Sequence, residues 1–381
     1  MSVIPDPADP ATLCVPWTCP LASSVPVSTV TEASESSGAA GSTAVHATAI
    51  QAAAVNAAAA QAAAAHAAAA AQDAPRLRQA IRLLCCHLVV ALVALVVIGG
   101  ATRVMEAGLA CPDWPLCYGS LLPGGRMNLQ VFLEWFHRLD AFVVGVALLV
   151  LAGASLWRRR HLPRWLPWAA GLALLLVAIQ GGLGALTVQR LLAAGTVTAH
   201  LATALLLVLL LSAIAQALET PPPAAGSPLQ QDPTLPRWWL PLALLSGLPL
   251  FAQCLLGGAM ASRWAVDRCL QAGEACQWLA LHRQVAGPAA LSLALLAIAS
   301  CWLPANQRSL RLFSGAALLL VACQVALGIA SLRLGLSQPS LTIAHQLSAA
   351  LLVALVGAIW GVSLQRRPRA VAISPAFLPT P

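Results

Sequence analysis

Apolar residues in this chain come in long unbroken runs rather than in amphipathic stripes. Eight such runs stand near 82–102, 129–153, 165–187, 193–217, 238–260, 279–303, 312–332 and 341–363. A helix of about 18–20 apolar residues crosses the hydrocarbon core of a bilayer, because it satisfies its own backbone hydrogen bonds there. The pattern predicts an all-α integral membrane fold with eight transmembrane helices.

Composition and charge sharpen this picture. Of 381 residues, 59% are hydrophobic and 9% charged, against about 25% charged in an ordinary soluble domain. The net charge of +8 is not a nucleic-acid surface, because its arginines alternate with the spans. They cluster at Arg76, Arg78 and Arg82, at Arg158, Arg159, Arg160 and Arg164, at Arg308 and Arg311, and at Arg366, Arg367 and Arg369. With eight spans these segments share one side, which the positive-inside rule makes cytoplasmic, with both termini there. The expected location is a bacterial cell (inner) membrane.

Residues 1–75 differ in character, with Pro, Ser and Thr followed by an alanine tract. They fit neither a secretory signal nor an Arg-rich transit peptide. A largely disordered cytoplasmic tail is expected, in which Cys14, Cys19, His46 and His66 are compositional.

An internal repeat organises the rest. His137 and His282 stand 145 apart, as do His200 and His345, so each half separates its two histidines by 63 residues. Gln180 and Gln324 recur at 144, Gly99-Gly100-Ala101 and Gly257-Gly258-Ala259 at 158, Cys111 and Cys269 at 158, and Cys117 and Cys276 at 159. Four spans per copy is an even number, so the copies enter the membrane from the same side as parallel repeats. The expected architecture is two tandem, pseudo-symmetric four-helix bundles. They occupy 76–217 and 238–365, joined by a Pro-rich linker at 218–237 and followed by a tail at 366–381.

All four repeated histidines lie inside apolar spans, where an ionisable side chain is costly and marks a functional site. They sit at similar depth, on the second and fourth helix of each half. Two imidazoles make a poor zinc site, which prefers more protein ligands. They are what a six-coordinate haem iron needs from a helical scaffold. His137 with His200, and His282 with His345, are therefore the candidate iron ligands. Glycines in spans one, three, five and seven would let a flat macrocycle approach the backbone. Arg138 and Arg283 follow the first ligand of each half and are candidates for binding haem propionates, as Arg pairs with carboxylates. Reaching to the outer interface is the alternative for both. His87 and His161 do not repeat and read as ordinary hydrogen-bonded side chains.

Cys111 with Cys117, and Cys269 with Cys276, fall in outer connections, where disulfides are permitted. Each pair can be a structural staple or a redox-active couple. The halves differ at Glu134, one helical turn from His137 and matched by Leu279. A carboxylate there suits proton transfer or stabilisation of a developing cation. Asp140, matched by Val285, is a weaker candidate that a salt bridge or polar helix contact explains equally well. The first half is expected to do chemistry and the second to hold a permanent haem.

These residues resemble the haem A synthase family across roughly 76–370. The carrying motifs are Gly99-Gly100-Ala101-Thr102-Arg103, Gly108-Leu109-Ala110-Cys111-Pro112-Asp113-Trp114-Pro115-Leu116-Cys117, Glu134-x-x-His137-Arg138, Gln180-Gly181 and the later histidines. The resemblance implies a membrane oxidoreductase converting haem O to haem A by oxidising a ring methyl to a formyl group, for use in haem-copper cytochrome oxidase. It implies haem O as substrate between His137 and His200, and haem b between His282 and His345. It implies catalytic Glu134, with Cys111 and Cys117 as the outer-loop pair. A haem O synthase would supply the substrate and a membrane electron acceptor would take the electrons, with homo-oligomerisation left open. The competing readings are a di-haem b-type electron-transfer cytochrome and a haem carrier. The long Ala-rich tail is a departure from the family pattern.

Overall fold

The computed structural model describes residues 40–219, 235–261, 277–335 and 337–366. The chain divides into two units, residues 1–67 and 68–381. In the first, residues 40–67 are helical and the side chains over 51–62 are exposed. Alanine favours helix without needing a packing partner, which accounts for helix in a segment that lacks an apolar face.

The second unit is built from the later part of a first helix and seven further long helices among the described residues. The long helices are α1 (Ala40–Val104), α2 (Leu129–Trp157), α3 (Leu166–Gln189), α4 (Ala194–Ala217), α5 (Trp239–Met260), α6 (Gln277–Ser300), α7 (Arg308–Arg333) and α8 (Pro339–Gln365). Each is long and apolar enough to cross a membrane, α1 through its part Ala74–Val104. The eight spans follow the apolar runs to within a few residues except at the start of the first. That helix extends toward its N-terminus through the polar residues around Arg76 and Arg78. The ends have local causes. Asn128 caps α2 by accepting from the Val131 amide at 2.9 Å, the usual use of Asn at this position. Arg78 donates from Nε to the Leu218 carbonyl at 3.0 Å, satisfying an acceptor that the end of α4 leaves without an intrahelical partner.

Neighbouring helices pack in sequence: α2 on α3, α3 on α4, α5 on α6, α6 on α7 and α7 on α8. Across the middle, the most extensive pairing is α4 with α8, and α5 lies against both. The core joins Ile81, Cys85, Leu88 and Leu92 of α1 to Leu148 and Leu151 of α2, Leu207 and Leu211 of α4, and Val353 and Val356 of α8. Apolar burial alone does not drive such contacts in lipid, where close backbone approach and polar ties do. Gly357 and Gly361, one turn apart on α8, meet the backbone of α4 at the Leu209 and Ala213 carbonyls with no room for a Cβ. On α5, Trp239 is fully buried and donates from Nε1 to Ser363 Oγ at 2.8 Å. Trp360 returns the tie, from Nε1 to the Ala243 carbonyl at 2.7 Å.

Replacing Gly357 with leucine should push α8 off α4 and destabilise the protein by about 1–3 kcal/mol, the usual range for overpacking. Thermal unfolding of the detergent-solubilised protein reads this as a lowered Tm. An unchanged Tm would show that the two helices do not approach so closely.

Candidate functional site

The four histidines stand five to eight residues into α2, α4, α6 and α8, at the end of the helices that carries the 105–128 connection. That regular depth follows from helix geometry and the repeat. The structure adds what seats each ring. An ideal Cβ at Gly99 would stand 3.2 Å from Cε1 of His137, and one at Gly184 3.4 Å from Cε1 of His200. In the second half, Gly257 meets His282 and Gly328 meets His345, each at 3.0 Å. Every imidazole therefore lies edge-on against a glycine of the preceding helix. The glycines expected to admit a macrocycle are used first to admit the imidazoles.

In the first half the His137 and His200 rings are 6.4 Å apart between centroids, with their planes at 64°. His137 Nδ1, His200 Nδ1 and His282 Nδ1 are buried without a hydrogen-bond partner. Buried polar atoms seldom stay unpaired, so three rings retain capacity for a ligand or a donor partner. His345 is the best ordered: its Nδ1 is 3.1 Å from the Gln324 carbonyl and its Nε2 3.2 Å from Gln324 Nε2. A carbonyl on Nδ1 fixes the tautomer that leaves Nε2 free as an acceptor or metal ligand. Gln253 serves His282, approaching its Nε2 at 3.3 Å and donating to its carbonyl at 2.9 Å. Among the described residues no three His, Cys, Asp or Glu side chains form a metal cluster. The donor set fits a group that brings its own equatorial ligands, as haem does.

The second cluster caps the first half. Glu134 is buried, one turn before His137 on α2. Its Oε2 accepts from the Cys111 amide at 2.8 Å and its Oε1 from Arg138 Nη2 at 2.5 Å. Arg138 also donates from Nη1 to the Asp113 and Leu116 carbonyls at 2.5 and 2.6 Å, and from Nη2 to the Cys111 carbonyl at 3.3 Å. Cys111 and Cys117, both buried, form a disulfide with a Cα–Cα distance of 4.8 Å. The loop is thus fastened to α2 by its Cys111 amide on Glu134 and by three carbonyls on Arg138, while the Glu134–Arg138 ion pair lies within the helix. Asp113 tightens it, accepting from the Tyr118 and Gly119 amides at 2.6 and 2.7 Å. The Gly119 amide bond foremost, with the Tyr118 bond and the Arg138 charge, holds the Asp113 carboxyl below the usual range.

The remaining sequence candidates separate from these clusters. Arg283 is exposed, and Asp140 lies half-buried on α2. Cys269 and Cys276 lie outside the described residues. His87 hydrogen-bonds within its own helix, Nδ1 to the Leu83 carbonyl at 2.7 Å. Arg103, Gln253 and Gln346 were not among the sequence candidates. Their signal was available, since a Gln or Arg inside an apolar span is costly without a task.

The family model described as cytochrome oxidase assembly protein matches residues 80–356. A haem A synthase of Sphingopyxis alaskensis is 30% identical over 344 residues, covering 75% of this chain and 92% of that one. The chain belongs to the haem A synthase family. A family member from Rhodospirillum centenum is 29% identical over 337 residues, 72% of this chain and 85% of that one. One from Shewanella oneidensis is 32% identical over 190 residues, so the chain matches 54% of that relative's length and 46% of its own. As a member, the chain is a multi-pass bacterial membrane oxidoreductase of haem A biosynthesis.

The bound loop carries a pH prediction. A carboxylate whose folded pKa is depressed contributes order that is complete above its unfolded pKa. That order is lost as pH falls through the folded value. Amide exchange at Tyr118 and Gly119 should therefore stay protected at neutral pH and speed up only below the ordinary carboxylate range. Asp113→Asn should make both amides exchange faster at neutral pH, and the difference should vanish once the parental carboxyl is protonated. Equal protection in the variant would contradict the role given to Asp113.

Proposed function

We propose that this chain oxidises a ring methyl of haem O to a formyl group, giving haem A for a haem-copper cytochrome oxidase. The observation that carries the reading is the one-sided placement of Glu134. It is a buried carboxylate one turn from a haem-ligand histidine, fastened to the outer loop, where the second half has Leu279. In this reading the substrate haem O is held between His137 and His200, and a resident haem b between His282 and His345. Haem held by His282 and His345 would supply one-electron transfer toward a membrane electron acceptor. A haem O synthase supplies the substrate, and the clusters face the outer side while both termini are cytoplasmic.

The residues divide the work. His137 and His200 hold and orient the substrate, each backed by a glycine that fixes ring position. Glu134 receives a proton from the oxidised methyl carbon, or balances positive charge that develops there, as a positioned carboxylate can. Arg138 and the Cys111 amide aim that carboxylate. The Cys111–Cys117 disulfide, with both sulfurs buried, keeps the loop closed over it. With a membrane acceptor as the oxidant, water supplies the formyl oxygen, the electrons leave to that acceptor, and Glu134 passes on the protons released. Arg283 remains a candidate for the propionates of the second-half haem.

Glu134→Ala, made in cells that also produce a haem O synthase, should leave bound haem in place while haem A falls at least about 100-fold, the lower range for a lost acid–base group. Chromatography of extracted haems reads the outcome. Haem A at the parental level in the variant would remove Glu134 from the chemistry. Haems B and O alone from the parental chain would favour a di-haem electron carrier.

A further inference from the structure

Arg103 closes the membrane part of α1 and has a setting that no other arginine in the spans shares. Its guanidinium is half-buried and donates from Nη2 to the Gln346 side-chain oxygen at 3.2 Å. Gln346 is fixed in turn, donating from Nε2 to the Val96 carbonyl at 2.9 Å and packing against Gly100 where a Cβ has no room. The amide holds Arg103 in place but cannot neutralise it. Among the described residues the ion pairs are Arg82 with Glu219 and Arg138 with Glu134, and Arg103 is in neither. A guanidinium carries five N–H donors, and a cation at membrane depth calls for an anion.

Position supplies the direction. Arg103 lies four residues after Gly99, hence on the same face of α1 and one turn nearer the loop end. Gly99 is the residue against which the His137 ring rests. Arg103 therefore leaves α1 on the face that seats His137, and its guanidinium reaches Gln346 on α8. By the 158-residue offset its counterpart in the second half is Ala261, and the next arginine there, Arg263, lies outside the described residues. Arg138, the arginine next to His137 in sequence, has its Nη donors on Glu134 and three loop carbonyls. Its fork is not open to a second carboxylate.

We propose that Arg103 binds a propionate carboxylate of the porphyrin held in the first half, with Gln346 fixing the guanidinium for that contact. This rests on the reading of the first half as the substrate-haem site. A bidentate guanidinium–carboxylate pair gives orientation as well as affinity. It would present one ring edge of the substrate toward Glu134 and turn the acidic edge toward α1. Arg103 then orients the substrate, and Glu134 reacts with it.

The test uses two probes, haem B and its dimethyl ester, in which both propionates are blocked. Each is titrated into the purified full-length protein, Arg103→Gln and Arg103→Lys, and His137→Ala marks the first-half contribution. Arg103→Gln should weaken His137-dependent uptake of haem B about ten- to a hundredfold, the worth of a charged hydrogen-bonded pair. Arg103→Lys should restore part of it, and the ester should bind alike to all three. Retention of the second-half haem spectrum shows that a variant is folded. Unchanged haem B affinity in Arg103→Gln would overturn the proposal. Equal weakening of both probes would also overturn it, because that marks only the α1–α8 tie through Gln346. Absence of His137-dependent uptake in the parental chain would overturn the first-half site itself, which is a different failure.

Discussion

The constraint on which the structure turns is the seating of four imidazoles inside apolar helices. Water is not there to satisfy them, so each ring needs a fixed place and a partner for its nitrogens. The chain meets the first need with glycine: Gly99, Gly257 and Gly328 each leave out a Cβ that would crowd the facing ring, and Gly184 lies in contact range of His200. The second need is met only in part. Gln324 and Gln253 serve His345 and Nε2 of His282, while His137 Nδ1, His200 Nδ1 and His282 Nδ1 are left unpaired. The better-partnered pair lies in the half read as holding a resident haem, and the open pair in the half read as exchanging its substrate.

Duplication makes the differences between halves informative. What recurs is the seat, namely histidine, glycine and their spacing. What does not recur gathers at one end of the first half: Glu134 against Leu279 and Asp140 against Val285. Glu134, Arg138 and the disulfide loop form one connected unit, because the carboxylate takes both the loop amide and the arginine. Loss of the loop would therefore reach the carboxylate directly, without any change in the helices. The α4–α8 contact through Gly357 and Gly361 supplies a stiff base on which the two pairs are held.

Much of this was legible in the sequence because its signals are long or repeated. Eight apolar runs fixed the spans to within a few residues, except where α1 continues past Arg76 into the tail. The histidines stood out because four polar groups at one spacing cannot be packing accidents. The partners of Glu134 were not legible, since one is a backbone amide 23 residues away and chain position does not encode it. Arg138 looked like a propionate ligand from its place beside His137, yet its Nη donors point to the loop. Gly357 and Gly361 gave no sign of their partner, because a small residue shows where a neighbour can approach but not which neighbour comes. Cys269 and Cys276 fall outside the described residues, so their pairing remains an expectation from the repeat.

The central claim is that each histidine pair holds one haem. Haem-to-protein stoichiometry with low-temperature spectra of the purified chain, His137→Ala and His282→Ala tests it most directly. The account predicts a bis-histidine spectrum from the second half that survives His137→Ala and disappears in His282→Ala. The first-half signal should behave in the opposite way. A bis-histidine haem retained at full occupancy in His282→Ala would contradict the account.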